Sequence, residues 1–187
     1  MVYNIECPVL INPLKKHELI KYELLKKINA YNAEPFISYS ENSDNLDAYI
    51  SRCDWNDAKQ DKHRNWVDFF LPHLRIDLLD SLKEINHTNY TIQQIWFQQY
   101  ETDSVHGWHT HSSTWTNVYF LELPYGTPKT QYLDSNNQIC EFNVKEGDIL
   151  TFPSHIIHRA PINTCSRRKT IISWNMNSDI NTKILPL

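Results

Sequence analysis

The spacing of apolar side chains changes halfway along the chain. Between Pro13 and Ala33, Leu14, Ile20, Leu24, Leu25 and Ile28 recur on one helical face with Lys and Glu between them. Ser38 to Asn65 is polar and rich in Asp and Asn, which predicts a long surface loop carrying short elements. Val67, Phe70, Leu71, Leu74, Leu78, Leu79 and Leu82 then mark a second helix over Trp66 to Ile85, with Pro72 a point of kinking or restart. From Thr91 the period becomes two. Strands are predicted at Thr91–Tyr100, Trp115–Leu123, Gln131–Leu133, Ile139–Val144, Ile149–Phe152, His158–Ala160 and Lys169–Asn175, separated by turns such as Pro124-Tyr125-Gly126-Thr127-Pro128. Helices followed by many short strands indicate an α+β chain whose β part is a sandwich or jelly roll. The reading is one domain over 1–187: a helical and loop flank to about residue 90, and a β core over about 91–178.

Composition narrows the class. With 41% hydrophobic and 21% charged residues, the 187-residue chain has the make-up of a globular protein able to bury its own core. Its net charge of −4 and scattered basic residues leave no stripe for nucleic acid. Cys7, Cys53, Cys140 and Cys165 are far apart, with no CxxC pair, which argues for free thiols in a reducing compartment over a zinc site or disulfide framework. Met1 to Leu14 lacks signal-peptide features, and no run approaches the ~18 apolar residues of a membrane span. The expectation is a soluble cytoplasmic protein. Only Gly107, Gly126 and Gly147 are glycines, so no glycine-rich phosphate loop exists.

The candidate chemistry is concentrated in histidines. His109-Thr110-His111 lies between two strand patterns; on a strand, residues i and i+2 project to one side. The segment from Gly147-Asp148 through Phe152-Pro153-Ser154 to His158 reads as turn, buried strand, stop and new strand, which can bring His158 beside the first pair. Imidazoles suit Fe, Zn, Cu and Ni, and three ligands on one face of an ion leave the opposite positions open. Arg168 and Thr170 follow at i and i+2 on the last strand; an Arg fork fits a planar carboxylate. Lys169 is the rival, because a one-residue register change exchanges their faces. His106 and His155 are read as lining or capping the site. His17, His63, His73 and His87 are read as surface or boundary residues, and Asp54, Trp55 and Trp66 as packing without chemistry.

These motifs resemble the 2-oxoglutarate/Fe(II)-dependent oxygenases, and within them the prolyl-4-hydroxylase-like proteins of marine bacteria and phages. The resemblance covers roughly Thr91 to Asn175 and includes the stretches Trp115–Leu121 and Ile171–Asn175. It implies a double-stranded β-helix (a cupin-like jelly roll) with the N-terminal helices packed on it. It also implies Fe(II), 2-oxoglutarate and O2 as cofactor and cosubstrates, and hydroxylation of a protein side chain, prolyl included, or of a small metabolite. His109, His111 and His158 would be the metal-binding and catalytic residues; His111 stands where most of the family has Asp or Glu, and is either a third imidazole ligand or no ligand, as in the two-histidine halogenase variant. Arg168 and Thr170 would hold 2-oxoglutarate, with Tyr100 and Tyr119 also in contact. His106 occupies the place of a 2-oxoglutarate-contacting tyrosine. Two other readings compete: a cupin-type metalloenzyme without 2-oxoglutarate, and a non-catalytic jelly-roll binding or structural module. The cupin pattern expects a Glu soon after the histidine pair, whereas Glu122 comes eleven residues after His111.

Overall fold

A computed structural model describes residues 6–40 and 46–180. Residues 1–5, within the stretch read above for a signal peptide, 41–45, within the polar loop, and 181–187 lie outside the described residues. In chain order the elements are β1 (Leu10–Pro13), α1 (His17–Ala30), β2 (Glu34–Tyr39), β3 (Leu46–Cys53), α2 (Trp55–Lys59), α3 (Asn65–Lys83), β4 (His87–Tyr100), β5 (Val105–His109), β6 (Trp115–Glu122), β7 (Gln131–Leu133), β8 (Ile139–Glu141), β9 (Asp148–Pro153), β10 (His158–Ala160) and β11 (Lys169–Ile180). None of the helices is long and apolar enough to cross a membrane.

The strands pair antiparallel in the order β1-β9-β6-β11-β4-β3-β5-β10-β7-β8, with β2 on β3. The path turns a corner where β4 meets β3 through only Arg52 opposite Gln99 and Cys53 opposite Gln98. One half, β1-β9-β6-β11-β4, thus faces the other, β3-β5-β10-β7-β8, as the half-barrel of a double-stranded β-helix. The predicted polar loop contributes the end of β2, all of β3 and α2, and the N-terminal flank contributes β1 as an edge strand on β9. Pro72 neither breaks nor restarts α3; it sits exposed within one continuous helix.

Alternation along the central strands sorts their side chains into two cores. Ile95, Phe97, Tyr119, Leu121, Ile149, Ile172 and Trp174 point outward onto Leu24 and Ile28 of α1 and Phe70, Leu74 and Leu78 of α3. Trp96, Tyr100, Val118, Phe120, Leu150, Phe152 and Ile171 point into the barrel. A strand buried on both faces reads as a continuous apolar run, as β6 does. Each large side chain so buried stabilises the fold by roughly 1.5–3 kcal/mol. Asp54 ties the flank to the sheet: it accepts from Phe97 N at 2.8 Å, Trp66 Nε1 at 2.9 Å and Arg64 Nη1 at 3.2 Å.

Two supposed boundary histidines are interior. His17 Nδ1 lies 2.6 Å from the Tyr119 hydroxyl, and His87 Nδ1 lies 2.6 Å from Ser178 Oγ. Gly147 makes the first contact possible: its φ of +89° suits glycine, and a Cβ there would come within 3.0 Å of the His17 ring. All four cysteines are free.

Candidate metal centre

The three histidines singled out in the sequence meet inside the barrel. His109 ends β5, and His158 begins β10 directly opposite it. His111 lies just past β5 and not on it; its N–H donates to the Ser154 carbonyl at 3.0 Å, in the turn between β9 and β10. Ring centroids are 4.3 Å apart for His109–His158, 5.1 Å for His109–His111 and 5.2 Å for His111–His158. One nitrogen from each ring lies within 4.8 Å of the other two.

Backbone carbonyls set two of the rings. His109 Nδ1 lies 2.8 Å from Gly107 O, and His158 Nδ1 lies 2.9 Å from Ile156 O. A carbonyl only accepts, so Nδ1 carries the proton and Nε2 presents its lone pair. Burial, reinforced by neighbouring imidazoles, pushes the His158 ring down to about 2 and the His111 ring down to about 4; burial also lowers His109. The triad is therefore neutral near pH 7, the form that binds metal. Nitrogens about 2.1 Å from one ion sit roughly 3–4 Å from each other, so a slight closing of the rings suits one ion of the imidazole-binding class.

Gln98, His106, Trp96 and Ser173 line the cavity around the triad. The His106 ring stacks on His109 at 3.9 Å, and its Nδ1 is 3.5 Å from Gln98 Nε2. It stands beside the triad and not within it. His155 is exposed, with its Nε2 3.8 Å from Cys7 Sγ.

The register of β11 corrects the anion-clamp assignment. Arg168 and Thr170 lie on the outward face. Arg168 Nε and Nη2 grip the two Glu122 carboxylate oxygens at 3.0 and 3.2 Å, Nη1 donates to Asn29 Oδ1 at 3.2 Å, and the Thr170 hydroxyl donates to Glu122. Tyr119 is also on the helical side, stacked on Phe70 at 5.3 Å. Lys169 faces inward instead, because Ile171 and Ser173, at the same parity, line the inner cavity. The residue is 1% exposed, and its ammonium donates to Pro128 O at 3.0 Å and lies 4.6 Å over the Tyr100 ring. Burial lowers the amine to about 8, against a smaller opposing pull from Glu141. Of the four residues assigned to 2-oxoglutarate, only Tyr100 lines the inner cavity.

Two cavities share the histidine wall. The inner one, about 30 Å³, runs toward Tyr100 and Thr130; the outer one, about 250 Å³, is bounded by Phe36, Asp47, Trp55 and Trp96. Trp55, read above as packing alone, is thus a cavity wall. No sequence signal marked Asp47, whose strand was read as loop, or Phe36, which fell in no predicted element.

No family model matches the chain, and no curated protein matches it by sequence. Its fold is similar to that of a 2OG-Fe(II) oxygenase family oxidoreductase from Burkholderia pseudomallei, with a TM-score of 0.67 and 13% identity over 90% of this chain and 84% of that one. A prolyl-4-hydroxylase from Pseudomonas putida gives 0.57 and 11% over 90% and 92%. SnoN, a non-heme alpha ketoglutarate dependent epimerase from nogalamycin biosynthesis, gives 0.60 and 12% over 90% and 76%. At these identities the likeness establishes the fold. The chain is a double-stranded β-helix protein with a histidine triad able to hold a metal ion, and its structural neighbours are 2-oxoglutarate-dependent oxygenases.

Proposed function

We propose that this protein is an Fe(II)- and 2-oxoglutarate-dependent dioxygenase that hydroxylates a C–H bond of a protein side chain, prolyl included, or of a small metabolite. The observation that carries the reading is the pairing of three converging neutral imidazoles with a buried lysine at the inner end of the same barrel. His109, His111 and His158 would hold the iron. When bound, iron supplies O2 activation coupled to decarboxylation of 2-oxoglutarate to succinate.

The chain's own part is binding and placement. Lys169 lies four residues from Ser173 on β11, roughly 13 Å of strand, which sets its side chain and the triad apart along the barrel. The ammonium would exchange the Pro128 carbonyl for the distal carboxylate, a charge-assisted bond in a site closed to water. Tyr100 and Thr130 flank that end. A space of about 30 Å³ holds about one water, so entry of the acid requires side chains around it to shift. The three imidazoles add no negative charge, so a bound iron keeps its full 2+ charge for an anionic cosubstrate.

Aerobic succinate formation tests this reading. Succinate should appear only with Fe(II) and 2-oxoglutarate together, and none from that mixture would refute it. The small inner chamber and the all-imidazole donor set favour one second reading, a metal-dependent dioxygenase that works without 2-oxoglutarate. That enzyme would consume O2 with substrate and iron alone.

A further inference from the structure

The outer chamber lies across the histidine wall from Lys169 and has a different character. Phe36 meets Trp55 edge to face at 5.2 Å, Trp55 lies 6.4 Å from Trp96, and Trp96 stacks on His111 at 6.0 Å. An aromatic wall therefore leads from the β2 lip to a triad ring. An apolar cavity of about 150 Å³ already admits benzene. The 250 Å³ here accommodates a small ring-bearing molecule.

Among the described residues, the chamber has one carboxylate, Asp47 on β3, and neither Lys nor Arg lines it. Asp47 lies over Gly107: a Cβ at 107 would come within 2.4 Å of Asp47 Oδ1, so only glycine leaves the carboxylate this place beside His109. Five other shielded carboxylates have cations, while Asp148 and Asp134 accept from backbone N–H groups instead. Asp54 has Arg64, Asp57 has Lys62, Asp77 has Lys15, Glu122 has Arg168 and Glu146 has Lys21. Among the described residues, Asp47 has neither an ion pair nor a side-chain hydrogen bond. A partly buried carboxylate with no counter-ion from the chain can take one from a ligand. Aromatic ring faces attract the same sign of charge.

We propose that the outer chamber selects a small molecule carrying a positively charged nitrogen on an aromatic or compact apolar body, with Asp47 as counter-ion and Trp55 and Trp96 packed around it. This molecule would be the oxidised substrate, and that word rests on the oxygenase reading; the binding preference does not. Asp47 is then the specificity-determining residue. It anchors the nitrogen so that carbons beyond it lie against His109 and His111.

The probes are phenethylammonium and 2-phenylethanol, which have the same shape and differ in charge. Their binding is measured by calorimetry on the intact chain loaded with Zn(II), so turnover is not involved. Wild type should bind the ammonium at least about tenfold more tightly. Asp47→Asn should abolish the preference while retaining the alcohol affinity and the zinc stoichiometry, and Trp55→Ala should weaken both probes. Equal affinities in wild type, a preference that survives in Asp47→Asn, or no binding of either probe would overturn the proposal. A charge preference in protein that binds no metal would uphold the chamber and remove the oxygenase reading. Metal and 2-oxoglutarate binding without a charge preference would do the reverse.

Discussion

Alternate residues of β11 face two different environments. On the outward face, Ile172 and Trp174 pack under α3, and the charged groups are closed on each other: Arg168 grips Glu122, and Thr170 joins them. On the inward face, Lys169 is buried with no ion pair among the described residues, Ser173 reaches Gln98, and beyond them stand three neutral imidazoles. The outward face is satisfied by the chain itself. On the proposed reading the inward face takes a cation and an anion from outside, which is how a strand of the core also forms the wall of a site.

Removing a prop of the outward face should have the largest effect. Phe70→Ala deletes a fully buried ring stacked on Tyr119 and should cost roughly 3–5 kcal/mol of stability by denaturant unfolding, with metal stoichiometry unchanged in the folded fraction. Lys169→Met should have the opposite character. It should weaken 2-oxoglutarate binding by roughly 2–5 kcal/mol, thirtyfold or more by calorimetry, because the anion loses a buried partner. Stability should hold or rise, because a buried charge is removed.

The pH dependence of wild type sharpens the same point. Folded Lys169 releases its proton near 8 and the unfolded chain near 10.5. As pH rises through about 8, 2-oxoglutarate affinity should therefore fall. Between those two values the unfolded state binds more protons, so this group's contribution to stability grows with pH. Lys169→Met should abolish both trends. The smallest effect belongs to Arg168→Ala, at most about 1 kcal/mol of stability for a partly exposed pair, with 2-oxoglutarate affinity unchanged. A large loss of affinity in Arg168→Ala would reverse the assignment of the two faces.

The same strand explains what the sequence could and could not reveal. The helical stripes of α1 and α3, the later strands and the order of the histidines were legible, because each is a local pattern. The facing of β11 was not. Ile171, Ile172 and Trp174 are buried on both sides, so a two-residue period carries no sign for inside or outside, and Arg168 was chosen with Lys169 as its rival. Pairing with β6 and β4 settles it. Tyr119 fell on the wrong side for the same reason, since β6 is buried along nearly all its length. β2 and β3 were missed because their polar edges, Glu34, Asp47 and Arg52, hide the alternation of buried Ala48 and Ile50. With those strands went Phe36 and Asp47, and hence the outer chamber.

An anaerobic Fe(II) titration, run on wild type and on His109→Ala, His111→Ala and His158→Ala in parallel, bears most directly on the triad. The expected result is one tight site per chain in wild type and loss of that site in each variant. One iron bound at undiminished affinity in any of the three would contradict the shared centre.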